Sequence, residues 1–224
     1  MTHALAHPFS LVDTLYESAQ LHASRQEWQT AQAHAEAMLA LATEHGFARY
    51  VAIGAFFQGA ALAMQGQGMG GIAQMHQGLA AVRATGVVIS IPGHLAWLAE
   101  AYGQVGQVAE GLHLLAEALA MVDTSGGRRH EAELHRLHGE LLLRQAVPDA
   151  PAAEACFQRA LDVARCQQAK SWELQAAMSL SRLWQRQGKR AAARDLLAPI
   201  YGWFTEGFDT ADLQEAKALL EALA

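Results

Sequence analysis

Basic residues, cysteines, aromatic residues and long apolar runs are all scarce in this sequence, and each scarcity removes a class of protein. Sixteen Lys and Arg face twenty-two Asp and Glu, for a net charge of −6. A phosphate backbone needs an excess of cations to displace its counterions, so no nucleic-acid partner is expected. Cys156 and Cys166 are the only cysteines. On one helix their separation is roughly 15 Å, beyond disulfide reach, and both read as reduced, apolar core residues. No apolar run approaches the ~20 residues that span a bilayer. Met1 to Ser10 has neither the basic start nor the apolar stretch of a secretion signal. The expected address is the cytoplasm, with no membrane partner. Aromatics make up only 7% of the chain and β-branched residues are few, which argues against a sheet protein. Neither a GxxxxGK(S/T) nor a GxSxG string occurs, so the nucleotide-hydrolysis loop and the hydrolase nucleophile elbow are both missing.

What is present is alanine, leucine and a repeat. Hydrophobic residues make up 52% of the chain, much of it alanine, as suits helices packed at close range. The strings AMQGQGMGGIAQMHQGLA, YGQVGQVAEGLHLLAEALA and WQRQGKRAAARDLLAPI share one plan. Each has an apolar helix end, a glycine, a polar pair and a second helix rich in Ala and Leu. Gly66 and Gly106 are 40 residues apart, and Gly188 lies 82 further on, two periods of 41. A copy with a longer turn at Pro148, Asp149 and Pro151 fills the gap. An upstream copy has Gln26 in the glycine's place, followed by Trp28.

The fold class expected from this spacing is all-α, an α-solenoid of about five helical hairpins in a single array over 1–224. The hairpins fall at approximately 11–45, 49–85, 92–123, 130–166 and 171–203. A capping helix covers 209–223, with Asp209 or Thr210 as N-cap. Helical periodicity supports each copy: Leu95, Leu98, Tyr102 and Val105 lie on one face, as do Leu134, Leu137 and Leu141. Small residues recur at matching places, Gly59, Ala99, Gly139 and Ser181 in first helices and Ala31, Gly71, Gly111, Ala153 and Ala193 in second ones. They allow close helix crossings, which is what justifies the ~1 kcal/mol that a mid-helix glycine costs.

These small residues, with Leu62, Tyr102, Leu142 and Trp184 three places after the first-helix ones, resemble the tetratricopeptide repeat, at a period longer than its usual ~34. More specifically, GIAQMHQGLAAVRATG, LAEAYGQVGQVAEGLHLLAEALAMVD, EAELHRLHGELLLRQ and the stretch from AEACFQRALDVARC to the end are similar to the C-terminal region of large bacterial signalling proteins. Those join a class III adenylate/guanylate cyclase domain, or a winged-helix regulator, to a STAND-type ATPase and end in such repeats. The resemblance implies a non-catalytic, protein- or peptide-binding scaffold at the regulatory or sensing end of such a protein, and its cyclase/ATPase portion as one partner. The family's catalytic activities do not carry over, because the phosphate loop is missing. The chain opens at LAHPFS, inside the family's array, which reads as a C-terminal fragment or a short stand-alone descendant.

Other motifs carry less chemistry. Gly66 to Gly71 spells GxGxxG, but it follows a helix, and the place of the expected acid holds Ile91, so it reads as an inter-helix turn and not a cofactor site. His135 and His138 share a helix face with His130 nearby, yet nothing completes a metal set. Trp28 and Trp184 fall at consensus places and read as core; the sequence does not place Trp97 and Trp203. The carboxylates are scattered over helix faces, where solvation is the ordinary role. No catalytic, cofactor-binding or metal residue is assigned.

In the tetratricopeptide pattern the first helices line a concave groove. That mapping assigns Tyr16, Gln20, Phe56, Glu100, Arg136, Glu140, Arg144, Arg182 and Arg186 to the binding groove, with an Arg-rich stripe in the last third. Arginine suits bidentate capture of carboxylates, so an acidic peptide or C-terminal tail is the expected ligand. The alternative is a helical-repeat domain that senses a small effector, which a closed apolar pocket would favour.

Overall fold

A computed structural model describes residues 7–224. Among them the chain forms eleven α-helices and no strand. They are α1 (Pro8–Ser24), α2 (Trp28–His45), α3 (Ala48–Met64), α4 (Gly68–Ala84), α5 (Ile91–Gln104), α6 (Val108–Ser125), α7 (Glu131–Leu143), α8 (Ala150–Cys166), α9 (Lys170–Arg186), α10 (Arg190–Tyr201) and α11 (Ala211–Ala222). A single 3-10 turn, Arg128–His130, precedes α7. The chain divides into two compact units, residues 1–107 and 108–224. The division falls in the turn after α5, inside the stretch expected to form the third hairpin (92–123).

Within each unit, every helix packs on the next in sequence and odd-numbered helices also pack on one another: α1 with α3 and α3 with α5 in the first, α7 with α9 and α9 with α11 in the second. This is solenoid packing. The closing helix α11 takes the place of another first helix, with Leu213, Ala216 and Leu219 turned inward. Thr210 stands at its N-cap without a side-chain hydrogen bond. The longer turn before α8 ends in a true cap, where Asp149 Oδ1 accepts from Ala152 N–H at 3.0 Å and Pro151 follows in the first turn.

Helices α1, α2, α3, α5, α8 and α9 end alike. One residue enters the left-handed region, at Gln26, Gly46, Gly66, Gly106, Gln168 and Gly188. The next N–H then reaches back five residues, as from Gln67 to Leu62 O and from Lys189 to Trp184 O, both at 2.9 Å. This is the Schellman arrangement, which satisfies carbonyls that the helix end leaves open. Gln26, with φ 60°, does hold the glycine's place. It does so at a cost of roughly 1–2 kcal/mol for a side chain in that region.

The small residues mark close crossings. A Cβ on Gly59 would sit 2.7 Å from Met75 N, and one on Gly78 would sit 2.7 Å from Phe56 N. A Cβ on Gly71 would land on the backbone of Ala63. Here α3 and α4 touch backbone to backbone, and no side-chain rotation could make room. In the second unit Gly139 faces the Phe157 ring instead, and Ser181 Oγ donates to Ala193 O at 3.1 Å. The second unit's core is built on Phe157, Leu161, Leu174, Leu180 and Leu197.

Two neighbouring glycines of α4 give a test. Nothing lies within 4 Å of a Cβ placed on Gly70, whereas one on Gly71 strikes α3. Gly70→Ala is therefore expected to raise stability by about 0.5–1 kcal/mol through helix propensity. Gly71→Ala is expected to lower it by about 1–3 kcal/mol through overpacking. Urea unfolding of the two variants checks this, and shifts of the same sign would refute the crossing argument.

Candidate binding surface

The nine residues assigned to the groove do not share one environment. Tyr16 is buried, its hydroxyl accepting from Gln20 Nε2 at 2.7 Å. Phe56 has no exposed surface and so presents nothing to a ligand. Its ring meets Phe57 and the imidazole of His94, whose centroid is 4.5 Å away. The physical reason is that α5 lies directly on α3, so an aromatic at this place joins the core between them. Glu100 is half-buried on α5.

In the second unit, helices α7, α9 and α11 carry a connected polar surface. Arg136 donates twice to Glu133, at 2.7 and 2.6 Å, and stands 3.9 Å from Glu140. Ser179 Oγ donates to Glu140 at 2.7 Å. Gln175 donates to Asp212 at 2.8 Å, and Arg182 pairs with Glu215 at 2.7 Å. Burial pushes the Asp212 carboxyl up; the Gln175 hydrogen bond and Arg136 oppose this, while Glu215 and Glu133 add to it. Arg144 and Arg186 stand exposed at the C-terminal ends of α7 and α9. The expected arginine stripe is thus met by carboxylates at Arg136 and Arg182. Glu215, from the closing helix, was not among the residues the repeat pattern assigned to the groove.

Several other expectations need correction. Cys166 is exposed and Cys156 only half-buried, because both face outward between the core positions of α8, so neither is a core residue. Trp28, by contrast, is core as its repeat place implied, buried against Trp97. Trp184 is only half-buried, since its indole N–H turns out to Glu154 Oε1 at 2.8 Å. Trp203 is 57% exposed. Two carboxylates depart from the solvated role: Glu131 and Glu173, in the first turns of α7 and α9, are buried beneath basic side chains. Their 42-residue spacing was the available signal. The GxGxxG string forms the α3–α4 turn and the start of α4. Burial lowers the pKa of both His135 and His138, and among the described residues no three His, Cys, Asp or Glu come together as a metal set.

The first unit has an open apolar groove of about 720 Å³ between α2 and α4, floored by Ala48, Val51 and Ala55 of α3 and flanked by Thr43, Gln74 and Gln77. No charged side chain lines it.

No protein-family model and no curated protein matches the sequence. Solved structures do resemble the fold. Repeats described as those of a putative kinesin light chain from Podosopora anserina, nearly identical TPR-like repeats, match at 18% identity and TM-score 0.54, over 97% of this chain and 98% of theirs. A singly substituted form of the same repeats matches at 19% and 0.56, over 88% of this chain and 96% of theirs. Yeast Tom70 matches at 14% and TM-score 0.60, over 94% of this chain and 39% of its own. The fold is therefore a TPR-like helical-repeat solenoid.

His94, packed on Phe56, supplies a pH test. Its Nδ1 donates to Ser90 O at 2.6 Å, and its Nε2 is buried without a partner. Burial, with a smaller contribution from Arg49 and against the Ser90 hydrogen bond, lowers its pKa to about 4. Below pH ~6.5 the unfolded chain takes up a proton that the folded one refuses, so stability falls as pH drops from ~6.5 towards ~4. The full effect is about 3 kcal/mol. His94→Leu is expected to flatten that part of the urea-midpoint profile, and an unchanged slope would count against the buried neutral imidazole.

Proposed function

We propose that this chain is a non-catalytic, protein- or peptide-binding scaffold whose ligand lies along α7, α9 and α11. The observation that carries this reading is the set of hydrogen-bonding side chains on those helices, Arg136, Glu140, Gln175 and Arg182, with buried Ser179 holding Glu140 in place. Exposed ion pairs such as Arg182–Glu215 contribute only ~0–1 kcal/mol, so a ligand carboxylate can take the place of Glu215. Arg144 and Arg186 then extend the same surface for an acidic segment or a C-terminal tail. The resemblance to cyclase- and ATPase-linked repeats supports a regulatory or sensing role in a larger bacterial signalling protein, with its cyclase/ATPase portion as a natural partner. A cytoplasmic setting fits that role, and among the described residues no helix is long and apolar enough to cross a membrane.

The apolar groove between α2 and α4 favours a second reading, a small uncharged effector bound there. It is open rather than enclosed, which places it second.

A binding screen decides between them. Acidic and neutral peptides are titrated against the parent and the Arg182→Glu, Arg186→Glu double variant. The scaffold reading expects salt-dependent binding of the acidic peptides that falls at least about tenfold in the variant. Equal binding by both proteins, or none by the parent, would overturn it.

A further inference from the structure

Glu131 and Glu173 are equivalent residues of successive hairpins, and each is buried between two cations. Arg128 approaches Glu131 at 3.4 Å and Arg159 at 3.6 Å. Arg165 and Lys170 hold Glu173 at 2.9 and 2.7 Å. In both cases one cation comes from the start of the first helix or the turn before it, Arg128 or Lys170, and the other from α8. The two segments are tied together, since Gln167 Nε2 donates to Arg128 O at 2.7 Å, and His130 packs on Trp172 across them.

This leaves cations in surplus. Four share two buried carboxylates, and the nearby exposed acid on α8 is Asp162, three positions from both Arg159 and Arg165. The side chains of Arg128, Arg159 and Arg165 remain 60%, 56% and 48% exposed. The contacts of Arg128 and Arg159 with Glu131 are long, so most of their five guanidinium donors point to solvent. In a chain of net charge −6 this is a local excess of positive charge, anchored from below by the buried glutamates.

We infer that this edge, formed by the segments entering α7 and α9 and the outer face of α8, is a second docking surface, and that it takes a short acidic protein segment. Guanidinium forks at fixed positions match carboxylates two at a time. A nucleic acid fits less well: its charge, one per ~1.7 Å of duplex, continues far beyond a patch this small and meets the chain's overall negative charge. The surface is distinct from the row on α7, α9 and α11, and it stands whether or not that row binds peptide.

The test uses the whole chain and a short blocked peptide rich in Asp and Glu, with its Asn/Gln counterpart and a single-stranded oligonucleotide of equal charge as controls. Expected is salt-dependent binding of the acidic peptide that weakens at least about tenfold in Arg159→Gln, Arg165→Gln. Arg128 and Lys170 still cover the buried glutamates in that variant, and circular dichroism confirms its fold. Asp162→Asn, which touches neither buried pair, should tighten binding by about two- to fivefold. The Arg159/Arg165 and Asp162 effects should persist, at the same size, when measured in the Arg182→Glu, Arg186→Glu background. Binding that ignores both the Arg159/Arg165 and Asp162 changes, that follows Arg182 and Arg186 instead, or that is tighter for the oligonucleotide would overturn the assignment.

Discussion

The backbone-to-backbone crossing of α3 and α4 is the constraint on which the first unit depends. Short helices are marginal alone in water and must bury an apolar stripe on their neighbours. With Gly59, Gly71 and Gly78 at the crossing, no Cβ holds the two helices apart, and α5 and α1 pack onto α3 in turn. The open apolar groove beside α4 is floored by the alanines of the same helix, α3. The second unit solves the same problem with side chains: the Phe157 ring fills the space over Gly139, and a hydroxyl hydrogen bond at Ser181 takes the place of bare contact.

Charge is arranged in two layers in the second unit. Along α7, α9 and α11 the Arg182–Glu215 pair is exposed, where such a pair contributes little and exchanges readily, while Arg136 and Glu133 form a mostly buried two-point pair. At the entry to α7 and α9 the carboxylates are buried. Burial alone would raise the pKa of Glu173, but hydrogen bonds and charge from Lys170 and Arg165 outweigh it and bring it below the usual carboxylate range. Removing both partners of such a group would leave an uncompensated buried charge, a far larger penalty than losing a surface pair. The cations over the buried glutamates are therefore needed where they are, whereas the exposed partner of Arg182 can be exchanged. That difference separates a fixed recognition surface from an adjustable one.

The repeat was legible because its physics is local. A left-handed turn residue every forty positions and small residues at helix crossings leave marks in the sequence that need no tertiary knowledge, and Gln26 could be matched to a glycine's place by spacing alone. What was not legible depends on neighbours distant in sequence. Phe56 falls at a groove position in the repeat pattern, but the packing of α5 on α3 makes it core. Arg182 reads as a free guanidinium until α11 brings Glu215 to it. Glu131 and Glu173 look like ordinary surface acids: their 42-residue spacing marks them as equivalent, but their burial beneath arginines from α8 is set by residues distant in sequence. Cys166, at the end of an apolar-looking helix, is exposed because the core stripe of α8 passes it by.

Hydrogen exchange resolved by residue tests most directly the claim that close crossings hold the repeats together. Helices joined backbone to backbone should open only as one cooperative element. The amides of α3 and α4 around Gly59, Ala63, Gly71 and Met75 are expected to be the slowest in the first unit and to exchange with one common free energy, while those of α1 open at lower cost. Protection in α3 and α4 no greater than in α1, or separate opening energies for the two helices, would contradict the account.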